Sequence, residues 1–241
     1  MSTVLGYRRI ADGIDPPYDH GAYTSTHKRV PRHPPIRIEH TLSEITGPRF
    51  GAELVGAGDA DLIRFAGGEA LGERIIVTGR VLDEDRRPLS NALLEIWQAN
   101  SAGRYAHDFD QHDAPLDPHF SGVGRVVTGN DGVYRFATIK PAAYPWKNHP
   151  NAWRPQHIHF SLFGPGFATR LITQMYFPGD PLLELDPIYQ SVPDPAARER
   201  LVCAFDLEAT IPERALGYRF DIVLRGRNAT PHERDAHGGA R

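Results

Sequence analysis

Two histidines, one residue apart, are the feature of this 241-residue chain with the clearest chemical meaning. His157 and His159 follow Tyr144 within the run Tyr-Pro-Trp-Lys-Asn-His-Pro-Asn-Ala-Trp-Arg-Pro-Gln-His-Ile-His-Phe, and another tyrosine, Tyr105, ends the run Asn-Ser-Ala-Gly-Arg-Tyr. Imidazole binds zinc, copper, iron and nickel alike, so the histidine pair alone does not name a metal. Two phenols together with two imidazoles are the ligand set expected for a ferric ion outside haem.

The spacing of the two histidines predicts where their side chains point. Residues i and i+2 of a strand lie on the same face, so His157 and His159 share a face, while the alternate positions, beginning with Ile158 and Phe160, are apolar. The pattern therefore predicts a half-buried strand with both imidazoles on one side. For the histidine pair alone, two polar residues on a solvated face are an equally open interpretation.

The elements that must position these residues are predicted to be short strands. Glycine (23 residues) and proline (21 residues) interrupt the chain too often for a helix bundle. The segment Asn130-Asp-Gly132 indicates a hairpin turn between two of the strands. The predicted strands are 74–82, 92–97, 125–127, 133–136, 157–162, 170–177 and 218–224. Strands of this kind, separated by turns, predict an all-β fold, an antiparallel β-sandwich with one or two short helices.

The clearest helix signal begins at Asp194, a favourable N-cap residue followed by Pro195 at the first helical position. We expect this helix to extend to Ala204 and to include Cys203, which we expect to be buried rather than reactive. A second, shorter helix is predicted from the capping box that begins at Thr41.

The chain divides into three predicted regions that form one domain. Residues 1–70 are an irregular N-terminal arm with the short helix, and we expect this arm to pack on the body or on a partner. Residues 71–230 are the catalytic β-sandwich. Residues 231–241 are a polar C-terminal tail, which we expect to fray from His232 onward.

The bulk properties exclude several function classes. The net charge is −3 and the basic residues are interspersed, so the sequence predicts neither nucleic-acid binding nor membrane binding. We find no apolar run of membrane-spanning length and no signal core at the N-terminus, so a cytoplasmic location is expected. The single cysteine allows no intrachain disulfide, which fits a reducing compartment.

Several separated motifs, in order, resemble those of the intradiol ring-cleavage dioxygenases. The likeness extends from about residue 41 to residue 230, and its strength comes from the number of motifs rather than from any one of them. The motifs are Glu95-Ile-Trp97-Gln-Ala-Asn100, Asp131-Gly-Val-Tyr-Arg-Phe, Thr138-Ile-Lys-Pro, Tyr144-Pro-Trp146 and Arg154-Pro-Gln-His157-Ile-His159-Phe.

The resemblance implies a non-haem Fe(3+) centre and assigns roles to its residues. By resemblance, Tyr144 is the tyrosinate that leaves the metal and takes a proton from the catechol substrate, Arg154 supplies a fixed positive charge and Gln174 donates a hydrogen bond to the same region. A surface ion pair for Arg154 and an ordinary strand-face amide for Gln174 are the competing interpretations. The implied metal ligands are Tyr105, Tyr144, His157 and His159.

The resemblance also implies a substrate pocket with an aromatic lining. Core packing is an equal competitor for its tryptophans. Lys147 stands where close relatives are expected to carry arginine, so it can attract a substrate carboxylate as a point charge without bidentate geometry. The implied pocket residues are Tyr23, Trp97, Trp146, Lys147 and Ile188.

Within this family the sequence is most similar to the iron-bearing β chains that assemble with a related α chain as (αβ)n. The resemblance implies cleavage of 3,4-dihydroxybenzoate (protocatechuate) between its two hydroxyl carbons with O2, giving 3-carboxy-cis,cis-muconate in the β-ketoadipate pathway of aromatic catabolism.

Three other hypotheses are weighed against this one. A homomeric catechol or hydroxyquinol dioxygenase carries a long helical N-terminal segment, and residues 1–70 lack helical periodicity. A non-catalytic, transthyretin-like binding module is disfavoured because all four ligand positions are filled. A zinc hydrolase is disfavoured because tyrosine is a poor zinc ligand compared with Cys, His and carboxylate.

Overall fold

A computed structural model describes residues 12–33, 53, 55–146, 153–163 and 170–233. Lys147 and the helix predicted after Thr41 lie outside these residues. The strands are β1 (Arg64–Phe65), β2 (Gly68–Glu69), β3 (Arg74–Leu82), β4 (Leu93–Trp97), β5 (Val123–Val127), β6 (Val133–Ile139), β7 (Tyr144–Pro145), β8 (Trp153–Arg154), β9 (His157–Phe163), β10 (Arg170–Tyr176), β11 (Ala204–Phe205), β12 (Leu216–Arg219) and β13 (Ile222–Val223). The predicted all-β class is confirmed.

The helical segments are short. Among the described residues, two are 3-10 helices, Thr24–Lys28 and Pro181–Glu184, and two are α-helices, α1 (Pro187–Gln190) and α2 (Pro195–Glu199). Asp194 caps α2 as predicted, since its side chain accepts a hydrogen bond from the Ala196 amide.

The first sheet carries the histidine pair at its centre. Its strand order is β10-β9-β4-β5, and all its pairings are antiparallel. The register places His159 between Trp97 on β4 and Gln174 on β10, and it places Tyr176 opposite His157. Cross-strand pairing therefore brings residues that are far apart in sequence into one line across the sheet.

The second sheet is mixed rather than antiparallel. Strand β3 pairs with β6 in the antiparallel sense, but β12 and β13 both run parallel to it. The predicted single strand 218–224 is divided here into β12 and β13, which pair with different parts of β3. Between them the Phe220 amide donates to the Thr78 carbonyl of β3. A Cβ at Gly79 would lie 1.8 Å from the Phe220 carbonyl oxygen, so glycine is required where the partner changes from β12 to β13.

The turn at residues 130–132 forms, but the predicted hairpin is wrong. The Gly129 amide donates to the Val133 carbonyl, and Gly132 has φ +73°, as a tight turn requires. However, β5 pairs with β4 in the first sheet, whereas β6 pairs with β3 in the second. The turn residues determine the reversal of the chain, while the sheet that each strand joins depends on long-range packing.

The two sheets pack against each other through an apolar core. Ile158 and Phe160 point into it from β9 and are fully buried, and the Phe160 ring lies 6.0 Å from that of Phe136. The opposite face of β9 is also buried, since His157 is 2% and His159 is 8% exposed. The prediction of a half-buried strand is therefore wrong, because loops and the C-terminal segment cover the polar face.

A second apolar cluster joins the N-terminal arm to the body. Ile14 packs there with Tyr176, and the Asp194 amide donates to the Gly13 carbonyl. Helix α2 ends earlier than predicted because the backbone at Leu201 and Cys203 exchanges hydrogen bonds with Tyr176 instead. The described part of the arm therefore lies on the body of its own chain, and the region boundaries at residues 70 and 231 stay a prediction.

The first residues of the C-terminal tail are ordered, so the prediction of fraying from His232 is wrong for this segment. The Glu233 amide donates to the Ile172 carbonyl at 2.6 Å, and the Thr173 hydroxyl donates to the Pro231 carbonyl at 2.9 Å. Residues 231–233 therefore run beside β10. Among the described residues, none of the helices has the length and apolar character needed to cross a membrane.

Candidate metal centre

The four predicted metal ligands converge from three parts of the chain. His157 and His159 lie on β9, Tyr144 begins β7, and Tyr105 lies in the loop between β4 and β5. The rings of the two tyrosines meet edge to face, with centroids 5.3 Å apart. The ring of Tyr105 lies 6.4 Å from that of His159.

Local backbone chemistry positions Tyr105. The Asn100 side chain accepts hydrogen bonds from the amides of Ala102 and Arg104, which folds the loop into a tight turn. Gly103 has φ +78°, and a Cβ there would lie 2.4 Å from the Ala143 carbonyl oxygen. Glycine thus allows the loop to approach the segment that carries Tyr144.

The nitrogen atoms of the histidine pair face each other. The Nε2 atoms of His157 and His159 are 3.2 Å apart, and the Tyr144 hydroxyl lies 3.4 Å from Nε2 of His157. Nδ1 of His157 lies 2.7 Å from the Pro155 carbonyl oxygen, so this nitrogen carries the proton and Nε2 carries the lone pair. Nδ1 of His159 faces a carboxylate oxygen of Glu233 at 3.7 Å, which favours the same tautomer.

This arrangement fits a metal ion. Two nitrogen lone pairs at 3.2 Å repel each other unless a cation or a proton lies between them. The Tyr105 hydroxyl is buried without a hydrogen-bond partner, which is costly for a neutral phenol in a closed site. Among the described residues no group of three His, Cys, Asp or Glu side chains converges as a metal site, so the two phenols are the candidates for the remaining ligands.

The electrostatics favour a neutral imidazole at His157. Burial lowers its pKa well below the usual value, and the Arg154 guanidinium and His159 lower it further. A neutral ring is the form that binds metals. Burial raises the pKa of both phenols; at Tyr105 the neighbouring Tyr144 adds to this effect, while at Tyr144 the Arg154 guanidinium opposes it.

Arg154 is buried beside the centre and held on several sides. Its Nε and one Nη donate to the two carboxylate oxygens of Asp186, each at 3.0 Å. The same Nη also donates to Oε1 of Gln174 at 2.7 Å and to the Tyr176 hydroxyl at 3.0 Å. The other Nη lies 3.3 Å from Nε2 of His157. Burial lowers the pKa of the guanidinium, but Asp186, together with Tyr176 and Tyr144, outweighs burial and raises the pKa well above the usual value.

The interpretation of Arg154 as a surface ion pair is therefore wrong, because its side chain is only 3% exposed. Gln174 is also buried, so it is not a solvent-facing strand amide. The Gln174 side-chain oxygen accepts a hydrogen bond from Arg154, and its Nε2 has no hydrogen-bond partner among the described residues.

The predicted pocket residues lie around this centre, with one exception. Trp97 stacks on the His159 ring at 4.7 Å with an interplanar angle of 4°. The Arg154 guanidinium lies 5.4 Å from the Trp146 ring, which Tyr23 meets edge to face at 5.1 Å. Ile188 lies beside Gln174 at a small cavity of about 20 Å³. Lys147 lies outside the described residues.

Sequence reasoning did not find three residues that complete this site. The sequence indicates Asp186 only as a helix N-cap residue before Pro187. Its side chain does accept a hydrogen bond from the Tyr189 amide. Tyr176 and Glu233 carry no motif of their own. The feature that marks Asp186 and Glu233 is the burial of their carboxylates, and burial is not visible in the sequence.

Comparison with known proteins identifies the family. A family model described as Dioxygenase matches residues 45–226. The chain belongs to the intradiol ring-cleavage dioxygenase family. Members of this family use non-haem iron, which agrees with the chemistry of the four converging side chains. A second model, for the N-terminal part of the protocatechuate 3,4-dioxygenase beta subunit, matches residues 7–41.

Individual intradiol dioxygenases match over most of the chain. The protocatechuate 3,4-dioxygenase beta chain of Burkholderia cepacia is 61% identical over 91% of this chain and 94% of the relative. The alpha chain from the same organism is 32% identical over 80% of this chain and 96% of the relative. The structure of catechol 1,2-dioxygenase from Acinetobacter sp. ADP1, inhibited by bound mercury, has a TM-score of 0.53 and 27% identity, and the match covers 78% of this chain and 64% of that chain.

Proposed function

We propose that this chain is the iron-bearing subunit of an enzyme that cleaves 3,4-dihydroxybenzoate between its hydroxyl carbons with O2. The product is 3-carboxy-cis,cis-muconate, which receives both oxygen atoms. The observation that carries the proposal is the convergence of two imidazole lone pairs, at 3.2 Å, with the two phenols. The choice of substrate is supported by the relative that is 61% identical over nearly its whole length.

The proposed ligands of Fe(3+) are Tyr105, Tyr144, His157 and His159. A bound ferric ion would hold the substrate through its two hydroxyl oxygens and would activate its ring toward O2. Two phenolates cancel two of its three charges, and the hard oxygen donors favour the ferric state. The imidazoles contribute neutral donors, in agreement with the lowered pKa of His157.

Tyr144 is the proposed base for a catechol proton. Its hydroxyl lies at the edge of the histidine pair, 3.4 Å from Nε2 of His157, and the nearby Arg154 charge favours its phenolate. As a phenolate, Tyr144 would accept one proton from a substrate hydroxyl and hold it at Oη. Tyr105, whose hydroxyl is buried without a hydrogen-bond partner among the described residues, is proposed to stay in place.

Arg154 is proposed to stabilise negative charge that develops on the substrate. The guanidinium is charged, buried and held by Asp186, Gln174 and Tyr176, so little reorganisation accompanies the reaction. One of its Nη atoms is already directed at the histidine pair. The aromatic wall of Trp97 and Trp146 excludes water, and Lys147, next to Trp146 in sequence, is proposed to attract the substrate carboxylate.

The test is to purify the chain together with an α-type partner and to measure metal, colour and product. The proposal expects ferric iron, a broad visible charge-transfer band and one O2 consumed for each 3,4-dihydroxybenzoate. A colourless, zinc-loaded enzyme would refute the iron assignment. A fully active homomer that prefers unsubstituted catechol would favour the homomeric alternative, and cleavage outside the two hydroxyl carbons would refute intradiol chemistry.

A further inference from the structure

Three buried polar atoms without hydrogen-bond partners meet beside the candidate metal centre. They are Nδ1 of His159, Nε2 of Gln174 and Oε2 of Glu233. The Glu233 oxygen lies 3.7 Å from Nδ1 of His159, and the Glu233 carboxylate also interacts with the Gln174 amide. A buried polar atom without a hydrogen-bond partner destabilises the folded state. The two N–H groups, of His159 and Gln174, therefore indicate hydrogen-bond donors that share the Glu233 carboxylate as their acceptor.

The C-terminal segment carries Glu233 to this position. The Glu233 amide donates to the Ile172 carbonyl. Nδ1 of His232 lies 3.0 Å from the backbone nitrogen of Ile172 and 2.8 Å from its carbonyl oxygen. These contacts align the segment with β10, which is paired with the strand of the two histidines. Both partners are nearly inaccessible to water, because the side chains of His159 and Glu233 are 10% and 8% exposed.

We propose that Glu233 is a positioning residue whose carboxylate accepts a hydrogen bond from Nδ1–H of His159 and so directs Nε2 of that ring to the metal. The inference rests on the proposed function, because it takes His159 as a ligand. Ligating histidines commonly donate their other ring N–H to a carboxylate or a carbonyl. The Pro155 carbonyl has this role for His157, and Glu233 is the only such acceptor found for His159 among the described residues.

The geometry of Glu233 agrees with this role. An ionised carboxylate only accepts hydrogen bonds, and Oε2 of Glu233 faces Nδ1 of His159 with no other hydrogen-bond partner among the described residues. A shift of about 1 Å would shorten the present separation to a hydrogen bond. The competing explanation is that Glu233 only fastens the C-terminal segment to β10.

The test compares Glu233→Gln, Glu233→Leu and the matched control His232→Ala, each in the αβ complex. Iron loss to a chelator, the visible spectrum and the electron paramagnetic resonance signal of Fe(3+) are measured together with the melting temperature. Glutamine can still accept the hydrogen bond from Nδ1–H but has no charge, whereas leucine leaves Nδ1 without a partner. We expect iron affinity to fall about tenfold for Gln and about a hundredfold for Leu, with altered spectra.

The control separates the two explanations. His232→Ala removes a contact of the same segment without touching His159, so it should lower the melting temperature and leave iron retention unchanged. The inference is overturned if both Glu233 variants retain iron as the wild type does, or if His232→Ala weakens retention equally. Wild-type protein that holds no ferric iron would refute the proposed function itself. An iron-loaded wild type with unaffected Glu233 variants would refute only the role of Glu233.

Discussion

At the scale of single residues, the site is determined by which atom each side chain leaves available. Nδ1–H of His157 donates a hydrogen bond to the Pro155 carbonyl. The Arg154 guanidinium donates hydrogen bonds to Asp186, Gln174 and Tyr176. What remains are two imidazole lone pairs and one guanidinium group directed at the same point. Residue types alone indicate iron, but the hydrogen bonds determine the direction in which each ligand acts.

Tyr144 can be separated from Tyr105 by mutation. If Tyr144 leaves the metal to take a proton, Tyr144→Phe should retain iron but turn over at least about a hundredfold more slowly, because general base catalysis contributes that much. The assay is single-turnover kinetics with iron quantification. Tyr218→Phe, on β12 of the other sheet, is the control and should be close to wild type. Wild-type turnover in Tyr144→Phe would show that its hydroxyl has no part in proton transfer.

Asp186 should contribute to both stability and activity. Asp186→Asn keeps the shape of the side chain but leaves the Arg154 charge buried without its counterion, which costs about 3 kcal/mol or more. We expect a lower urea midpoint and a lower kcat. Glu95→Gln removes the partner of the exposed Arg125 and should cost less than about 1 kcal/mol. Equal losses in the two variants would contradict this account of the buried pair.

At the scale of elements, strand register and one loop assemble the site. The register aligns Trp97, His159 and Gln174 across three strands, so their approach follows from regular pairing. Tyr105 depends instead on the loop after β4, where Gly103 approaches Ala143 closely. The regular elements thus position the imidazoles, and an irregular segment positions one phenol.

Gly103→Ala tests this dependence on the loop. The added Cβ would lie 2.4 Å from the Ala143 carbonyl oxygen at a positive φ, so the loop must shift away from Tyr144. We expect a loss of more than about 1 kcal/mol in stability and a weaker charge-transfer band. At Gly58 an added Cβ meets no atom within 4 Å, so Gly58→Ala is the control. An unchanged band in Gly103→Ala would mean that the loop does not position Tyr105.

Cys203 follows α2 and is buried, in agreement with its predicted inertness. Burial raises the pKa of its thiol to about 12, against about 8.5 for a free thiol. A raised pKa in the folded state stabilises the protein below about pH 8.5, and this contribution is lost as the pH rises toward 12. A thiol reagent at pH 8 should therefore modify the protein only after unfolding in urea. Rapid modification of the native protein would show that the segment opens readily.

At the scale of the whole molecule, the surface of the single chain exposes large apolar side chains. Phe109, Leu207 and Leu71 are 89%, 75% and 70% exposed. Contiguous patches of such side chains mark interfaces between subunits, whereas single ones are ordinary on a monomer. The α chain among the relatives suggests an αβ assembly, and these surfaces are consistent with one.

The assembly predicts different behaviour with and without a partner. Expressed alone, the chain should aggregate or show little activity, because its apolar side chains stay exposed. Co-expressed with an α-type chain, it should elute as a larger complex and be active. Size-exclusion chromatography with light scattering and an O2-uptake assay distinguish the two cases. A stable, active homomer would contradict the prediction of an obligate hetero-oligomer.

The sequence by itself was sufficient for the local and the chemical parts of this description. Alternation along β9, the N-cap at Asp194 and the types of the four predicted ligands are visible in it, because each depends on a few neighbouring residues. The resemblance extended this to the family, which the comparisons confirm. The roles of the individual site residues stay a prediction.

The tertiary structure decided what depends on residues distant in sequence. The turn before Val133 joins two different sheets, strands β12 and β13 run parallel to β3, and α2 ends early to pair with Tyr176. The same holds for the partners of the site: Asp186 beside Arg154, and Glu233 beside His159 from a tail expected to fray. Burial and long-range pairing arise only when separate segments pack together, so no local pattern of residues predicts them.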